Sequence, residues 1–296
     1  MKNLGQETLG QSGPQFSRYD SSKPGILAFR QMVLSHYEQY GRDMAWRNTT
    51  NPYQILVSEI MLQQTQVVRV TTKFPEFIHA FPDFASLATA PLANVLIVWQ
   101  GMGYNRRVIA LQKCAIRVMN EYNGLLPADV DILATFPSIG RATASSIAAF
   151  AFNLPVVFIE TNIRRVFIHF FFSDTDTVSD AEIFPLVEKA LYRKNPRVWY
   201  WALMDLGTAL KKTVPNPNRR SVHYSKQSSF EGSDRNIRGI IIRMLLAEPG
   251  MSENKFLNIL NDDPARIQKI LSSLESEGFI VRHEDRFFVS EGPGLT

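Results

Sequence analysis

Glu59 is the only charged residue in the helical pattern of "NPYQILVSEIMLQQTQV" (51–67), which Ile55, Leu56, Val57, Ile60, Met61 and Leu62 otherwise fill. A carboxyl held among apolar neighbours has its protonated form favoured, which suits a general acid near neutral pH. The competing reading is a buried glutamate satisfied by a backbone or arginine partner. Gln63 lies one turn on, on the same face. Gln63, Gln64, Thr65 and Gln66 form an uncharged run able to hydrogen-bond base edges, and packing alone gives no reason to gather them.

A second carboxylate, Glu160, ends the apolar run of "VVFIETNIRR" (156–165) and precedes Asn162 and two arginines. It reads either as a cap at a helix start or as a group placed for chemistry. Between the two carboxylates lies "DILATFPSIGRATASSIAAF" (131–150): a helix ending near Thr135, a tight turn through Gly140, and a small-residue helix from Ala142 to Phe150. This matches a helix-hairpin-helix, with Ser138, Ile139, Gly140, Arg141 and Thr143 around the turn. Backbone N–H groups there can hold a DNA phosphate without reading sequence. An ordinary helical hairpin is the plain alternative.

The elements that must position these residues are helical almost throughout from Ile26 to Leu210, split by Pro, Gly and Asn. Asn51 before Pro52 is a helix start. The stretch Leu154–Ile159 fits a short buried strand as well. Residues 1–25 read as a flexible tail and 211–234 as a linker. Residues 235–296 carry three helical patterns and two β-rich runs around a His-Glu-Asp turn, which suggests a winged-helix module. The 296 residues carry a net charge of +4, a mild basic excess that permits a nucleic-acid partner without requiring one. Cys114 is the only cysteine, which rules out an intrachain disulfide and a four-cysteine metal site. A cytoplasmic, nucleoid-associated protein with no membrane contact, and a monomer, is the expectation.

Taken together, "MAWRNTTNPYQILVSEIMLQQTQV", "WQGMGYNRRVIAL", the hairpin and "WALMDLG" resemble the helix-hairpin-helix (HhH-GPD) DNA glycosylases, most closely the MutY adenine glycosylases, over about 180 residues. The resemblance implies a mainly α, two-lobed fold with the active site in the cleft between the lobes. One lobe would be a six-helix barrel (about 50–150), the other 26–49 plus 151–210. It implies duplex DNA with a damaged or mispaired base as partner. Glu59 matches the acid that protonates adenine. Gln63 and Gln64 match residues inserted near the orphaned partner base, and Tyr104 the aromatic wedge beside it. Glu160 and Asn162 fall in the family's Asp-Gly-Asn segment, whose Asp stabilises the oxocarbenium-like sugar. Glu160 is one methylene longer, and Thr161 replaces the glycine.

Other departures bear on the chemistry. Ala142 occupies the position of the Schiff-base lysine of bifunctional relatives, so water is the expected nucleophile and no lyase step is expected. Ser138 stands where a glycine is usual. Lys211, Asn218, Ser221 and Gln227 fall where relatives have four cluster cysteines, so no iron–sulfur cluster and no other cofactor or metal is expected. Lys211, Lys212, Arg219, Arg220 and Lys226 could contact phosphate instead. The C-terminal module is too short for the Nudix-like domain that recognises 8-oxoguanine. Its Arg266, Lys269, Arg282 and Arg286 face six acids, which favours a protein contact at least as much as DNA. The expected function is a monofunctional glycosylase removing adenine opposite 8-oxoguanine or guanine. The alternatives are a thymine or uracil mismatch glycosylase and a lesion-binding protein without catalysis.

Overall fold

In the computed structural model, residues 19–225 and 230–292 are described. The first eight helices are α1 (Lys23–Tyr40), α2 (Pro52–Leu62), α3 (Val67–Ala80), α4 (Phe84–Thr89), α5 (Leu92–Trp99), α6 (Arg106–Glu121), α7 (Val130–Leu133) and α8 (Arg141–Phe152). Then come α9 (Thr161–Phe171), α10 (Asp180–Ala190), α11 (Pro196–Thr213) and a 3-10 turn at Pro217–Arg220. The C-terminal part runs α12 (Asp234–Ala247), β1 (Met251–Ser252), α13 (Glu253–Leu260), α14 (Pro264–Ser276), β2 (Ile280–His283) and β3 (Arg286–Val289). The expected mainly α fold is present.

Local chemistry sets the helix starts. Asn51 Oδ1 accepts the N–H of Tyr53 at 2.9 Å, with Pro52 at the first helical position. Asn195 with Pro196 and Asp263 with Pro264 repeat the device for α11 and α14. Ser179 and Glu182 form a capping box on α10.

The chain divides into two compact units, Met1–Gly41 with Ile159–Tyr224, and Arg42–Phe158 with Ser225–Thr296. The first unit buries Phe29, Val33, Phe167, Phe170, Trp199 and Leu203, with the Phe29 ring edge-on to Phe167 at 5.3 Å and to Trp199 at 6.1 Å. Here two expectations need correction. The tail does not extend to residue 25: Tyr19 packs its ring on Phe29 at 5.5 Å, and Ser22 caps α1. Residues 1–18 lie outside the described part. Nor is 211–234 a uniform linker. Helix α11 continues to Thr213, and the chain then folds back so that Val178 and Ser221 form a parallel bridge. Side chains at 218 and 220 supply the bonds that hold it, a signal no periodicity carries.

The second unit has one continuous hydrophobic core. It includes Leu56, Ile60, Phe77, Trp99 and Leu111 and extends through Ile241, Leu245, Ile270, Leu274 and Phe287 of the C-terminal part. That part holds three helices and an antiparallel sheet in the order β1-β3-β2, with Arg282 paired to Phe287. Residues 154–159, read as a possible strand, are not one: the segment carries no strand assignment, and Val156 N–H turns back to the carbonyl of Leu154 at 2.9 Å. No helix among the described residues is long and apolar enough to cross a membrane.

A carboxylate joins three helices of this unit. Glu277 accepts from Arg106 of α6 at 2.6 Å, from Arg238 of α12 at 2.6 Å and from Ser273 of α14 at 2.7 Å. Burial raises its pKa, but these hydrogen bonds outweigh burial and hold it down to about 2. An unfolded glutamate titrates near ~4.3, so the folded value is the lower one. The stabilisation is complete above the unfolded value and is lost as pH falls toward about 2. We expect the urea midpoint to fall between pH 6 and pH 3, and to fall much less in Glu277→Gln. Equal pH dependence in the two proteins would contradict this.

Candidate active site

Glu59 projects from α2, the one acidic residue of that helix, and is partly buried. Helix α8 packs on α2 and buries the small residues Ala144, Ser145, Ala148 and Ala149. Small side chains there bring the backbones close. Ser146 Oγ then lies 2.5 Å from Glu59 Oε2 and 2.9 Å from the carbonyl of Thr143. A serine hydroxyl has one proton and the carbonyl can only accept. The hydroxyl therefore donates to Glu59 when the carboxyl is ionised, or to Thr143 while accepting from a protonated Glu59. Both states of the acid are held without moving a heavy atom.

The residues after α2 are set by Arg107, which is 6% exposed. Its Nη1 donates to the carbonyls of Ile60 and Met61, each at 3.0 Å, and to that of Gln63. Its Nη2 donates to Thr65 Oγ1 at 3.0 Å, Met102 O at 3.3 Å and Gly103 O at 3.1 Å. The guanidinium lies 5.3 Å from the Tyr104 ring and 5.5 Å from that of Trp99. Burial lowers its pKa to about 10, which leaves it protonated at neutral pH. One cation thus fixes the Gln63–Thr65 loop and the Gly101–Tyr104 turn together. Gln64 (φ 52°) and Tyr104 (φ 47°) are both held in the left-handed region. That costs about 1–2 kcal/mol per non-glycine residue and must be imposed by surroundings.

The hairpin joins this group. Gln63 Nε2 donates to the carbonyl of Ser138 at 3.2 Å. Arg117 lies 4.4 Å from the Phe136 ring and donates to Thr135 O at 3.0 Å, bracing the turn. The residue with positive φ is Ser138 (58°); Gly140 has φ −82° and caps α8 with no side chain. The turn therefore goes through Ser138, not Gly140 as the sequence suggested, because the glycine serves the helix start. Ile139 is buried, and Thr143 sits in the first turn of α8. Arg141 makes an exposed ion pair with Asp131 at 2.6 Å. The sole cysteine, Cys114, donates its thiol to Pro137 O beneath the hairpin, and burial pushes its pKa up to about 12.

Glu160 and Asn162 lie in the other unit. Glu160 is the N-cap of α9: its Oε1 accepts the N–H groups of Asn162 at 2.7 Å and Ile163 at 2.9 Å, and its Oε2 accepts Asn162 Nδ2 at 3.3 Å. Desolvation raises its pKa, opposed by the N–H groups of Ile163 and Asn162 and by the charges of Arg165 and Arg164. Arg165 Nη1 holds Asn162 Oδ1 at 2.6 Å and the carbonyl of Gly207 at 2.7 Å. Gly207 belongs to α11, and a Cβ on it would meet Asn162 O at 2.5 Å. Thr161 is the first residue of α9 and has no positive φ, so that position needs no glycine.

The HhH-GPD superfamily base excision DNA repair protein model matches residues 57–188, which span Glu59, the hairpin and Glu160. An adenine DNA glycosylase of Mycobacterium tuberculosis strain H37Rv is 30% identical over 293 residues, covering 89% of this chain and 93% of that protein. The chain belongs to the adenine DNA glycosylase family. A relative of the same name from Mycolicibacterium smegmatis is 31% identical, covering 89% and 96%. One from Mus musculus is 33% identical over 66% of this chain and 39% of its own length. A thermostable thymine-DNA glycosylase shares the fold with a TM-score of 0.56 at 22% identity, covering 64% of this chain and 88% of its own. The chain is thus a DNA glycosylase of base excision repair.

The four cluster cysteines that the resemblance implies have no counterpart in this sequence. Lys211, Asn218 and Ser221 offer no thiolate; Gln227, with Lys226, lies outside the described residues. Asn218 is buried and its Nδ2 donates to Thr161 O at 2.9 Å, while Ser221 N–H is bonded to Asn218 O. These residues do not fit an iron–sulfur cluster. Arg220, expected to face phosphate, points inward instead. It donates to the carbonyls of Ile168, in the last turn of α9, and of Phe172, Ser173 and Thr175 just beyond it.

Arg107, Ser146, Arg165 and Gly207 are the site residues that sequence reading missed. Their one signal was position, inside or beside the quoted motifs. Arg107→Met should remove the one donor group shared by six acceptors and destabilise the protein by about 2–4 kcal/mol. Arg107→Lys should recover only part of this, since an ammonium lacks the planar fork. Gly207→Ala forces a backbone shift and should cost about 1–3 kcal/mol. Urea unfolding checks all three, and an unchanged midpoint in Arg107→Met would contradict the clamp.

Proposed function

We propose that the chain removes adenine mispaired with 8-oxoguanine or guanine, as a monofunctional hydrolase. What carries the reading is Glu59 held against Ser146, a proton donor poised in either state, in the same unit as the Gln63–Gln64 loop and Tyr104. The relatives named adenine DNA glycosylases, aligned over nine-tenths of the chain, support adenine as the base. Glu59 gives its proton to the adenine ring, and the C1′–N9 bond breaks with its electron pair leaving on neutral adenine. The Glu160 carboxylate stabilises the cationic sugar. Water adds to C1′, and the proton it gives up restores the acid. With Ala142 at the lysine position, no amine of the hairpin offers a covalent route. The enzyme works without an iron–sulfur cluster, Asn218 and Arg220 holding the loop in its place.

Gln63, Gln64 and Tyr104 enter the duplex at the extruded base pair, and the hairpin N–H groups with Arg141 and Thr143 hold phosphate. The C-terminal part, ordered helix, strand, two helices and hairpin, is read as a winged helix.

Duplexes bearing A·8-oxoguanine, A·G, T·G or U·G, treated with alkali after incubation, test this. Breaks are expected at adenine only, and only after alkali. Release of thymine or uracil with adenine untouched would overturn the assignment, and tight binding with no release would make the chain a lesion-binding protein. Glu59→Gln should lower single-turnover excision by about 100-fold or more with duplex affinity nearly unchanged. Ser146→Ala should lower it by about tenfold, the scale of one hydrogen bond to the acid. Retained turnover in Glu59→Gln would refute its role.

A further inference from the structure

In the first unit, the 3-10 turn Pro217–Arg220 sets two asparagines, Asn216 at its N-cap and Asn218 within it, against the start of α9. Asn216 Oδ1 accepts the N–H of Asn218 at 3.3 Å and Nε of Arg165 at 3.2 Å, which occupies both of its lone pairs. Arg165 is buried and passes the contact on, its Nη1 donating to Asn162 Oδ1 at 2.6 Å. An arginine only donates, so the oxygen of the Asn162 amide must face it and the NH2 group must face the other way. There it meets Glu160 Oε2 at 3.3 Å, the carboxylate oxygen that the backbone N–H groups of Asn162 and Ile163 leave open. An unbroken line of three hydrogen bonds therefore runs from Asn216 through Arg165 and Asn162 to Glu160.

Asn218 acts on the backbone. Its Nδ2 donates at 2.9 Å to the carbonyl of Thr161, the residue that follows Glu160. Thr161 is the first residue of α9, so its carbonyl lies in the helical ladder and needs no outside donor. The Asn218 side chain is buried, and its Oδ1 has no donor among the described residues. A buried carbonyl left unpaired costs free energy, so stability alone does not select an asparagine at this position. What the residue supplies is a fixed point for the first turn of α9. The 3-10 turn is itself anchored: Val178 N–H donates to Arg220 O at 2.8 Å, and Val222 N–H donates to Val178 O at 3.1 Å.

We propose that Asn216 and Asn218 are positioning residues for the glycosylase reaction. The segment that offers no thiolate to an iron–sulfur cluster is a brace made of protein alone, and what it braces is the Glu160 carboxylate. It works through two arms, a side-chain relay to Oε2 and a hold on the backbone next to Glu160. Small displacements at a reacting centre are costly in rate. A glutamate has one more rotatable bond to restrain than an aspartate, and the relay to Oε2 supplies that restraint. The inference rests on Glu160 acting on the sugar as proposed above.

The test uses the full chain and two readouts: single-turnover excision from an A·8-oxoguanine duplex, and hydrogen–deuterium exchange at the Asn162 and Ile163 amides of the free protein. Asn216→Ala and Asn218→Ala should each slow excision by about tenfold or more, with duplex affinity within about twofold of wild type. Each should also speed exchange at those two amides by about tenfold. Asn216→Asp keeps an acceptor for Arg165 and should recover most of both. Val33→Ala, which opens a cavity under α1 in the same unit, is the destabilised control; it should lower the melting temperature and keep the excision rate. Exchange in both alanine variants no faster than in Val33→Ala overturns the brace, whatever their excision. Faster exchange with unchanged excision overturns the positioning role. So does a Val33→Ala protein that slows excision as far as the asparagine variants, or an Asn216→Asp protein that rescues nothing. If wild type releases no adenine, the proposed reaction fails, and exchange alone then decides whether the turn holds Glu160.

Discussion

A buried guanidinium is expensive to desolvate, and Arg107 is kept because six acceptors converge on it. Helix α2 ends without a cation in its last turn, so the carbonyls of Ile60 and Met61 would otherwise be orphans. The chain beyond must then pass through left-handed backbone at Gln64, and the 101–104 turn through left-handed backbone at Tyr104. Neither conformation is one its residue would choose. Each loop is held because the same cation requires both sets of carbonyls, so Gln64 and Tyr104 are positioned as a pair. The first unit uses the same physics twice. Arg220 collects four carbonyls at the end of α9, and Arg165 joins Asn162 to the Gly207 carbonyl. Arginine suits this work because a planar fork of donors serves several carbonyls at once.

The two carboxylates differ in what their partners tolerate. Ser146 can donate to Glu59 or accept from it, so that partner serves either protonation state. The partners of Glu160 are N–H groups at the start of α9, which only donate and favour the anion. Desolvation acts against them and raises the pKa. The two carboxyls thus have partners of opposite logic, a hydroxyl that serves either protonation state and N–H groups that only donate. Capping and chemistry are then not rival roles for Glu160. The cap fixes Oε1 with two N–H groups and leaves Oε2 with one longer contact, 3.3 Å to Asn162. The extra methylene that separates Glu160 from an aspartate still lets the carboxylate cap the helix.

Fold class, hairpin and Glu59 were legible because each rests on local pattern: Asn-Pro at a helix start, small residues in α8, one acid among aliphatics in α2. What stayed hidden depends on partners far away in sequence. Arg106 and Arg107 are adjacent and chemically identical, yet the first pairs with Glu277 at the surface and the second is buried. Periodicity gives their faces but not what waits there. Ser138 and Gly140 were confused for a related reason, since composition points to the glycine while the turn geometry falls on the serine. The 211–225 segment looked like a linker because its order comes from side chains, Asn218 and Arg220, capping a helix some fifty residues earlier.

Charge counting over the C-terminal module is incomplete in the same way. Summed over the third helix and the wing, acids outnumber bases, and the segment looks unsuited to DNA. The sum hides the pairing. Arg266 is held by Asp234 and Asp262, Arg282 by Asp285, and Arg286 donates to the carbonyl of Gly250. The ion pairs of Arg266 and Arg282 remove charge of both signs from α14 and the wing, and Glu277 pairs with one arginine on α6 and one on α12. On α12, Arg235 and Arg243 have no carboxylate partner among the described residues, and they line a cavity next to the loops that Arg107 holds. A polyanion responds to the local field left after pairing, which falls off within about 10 Å at moderate salt, not to the net charge of a segment.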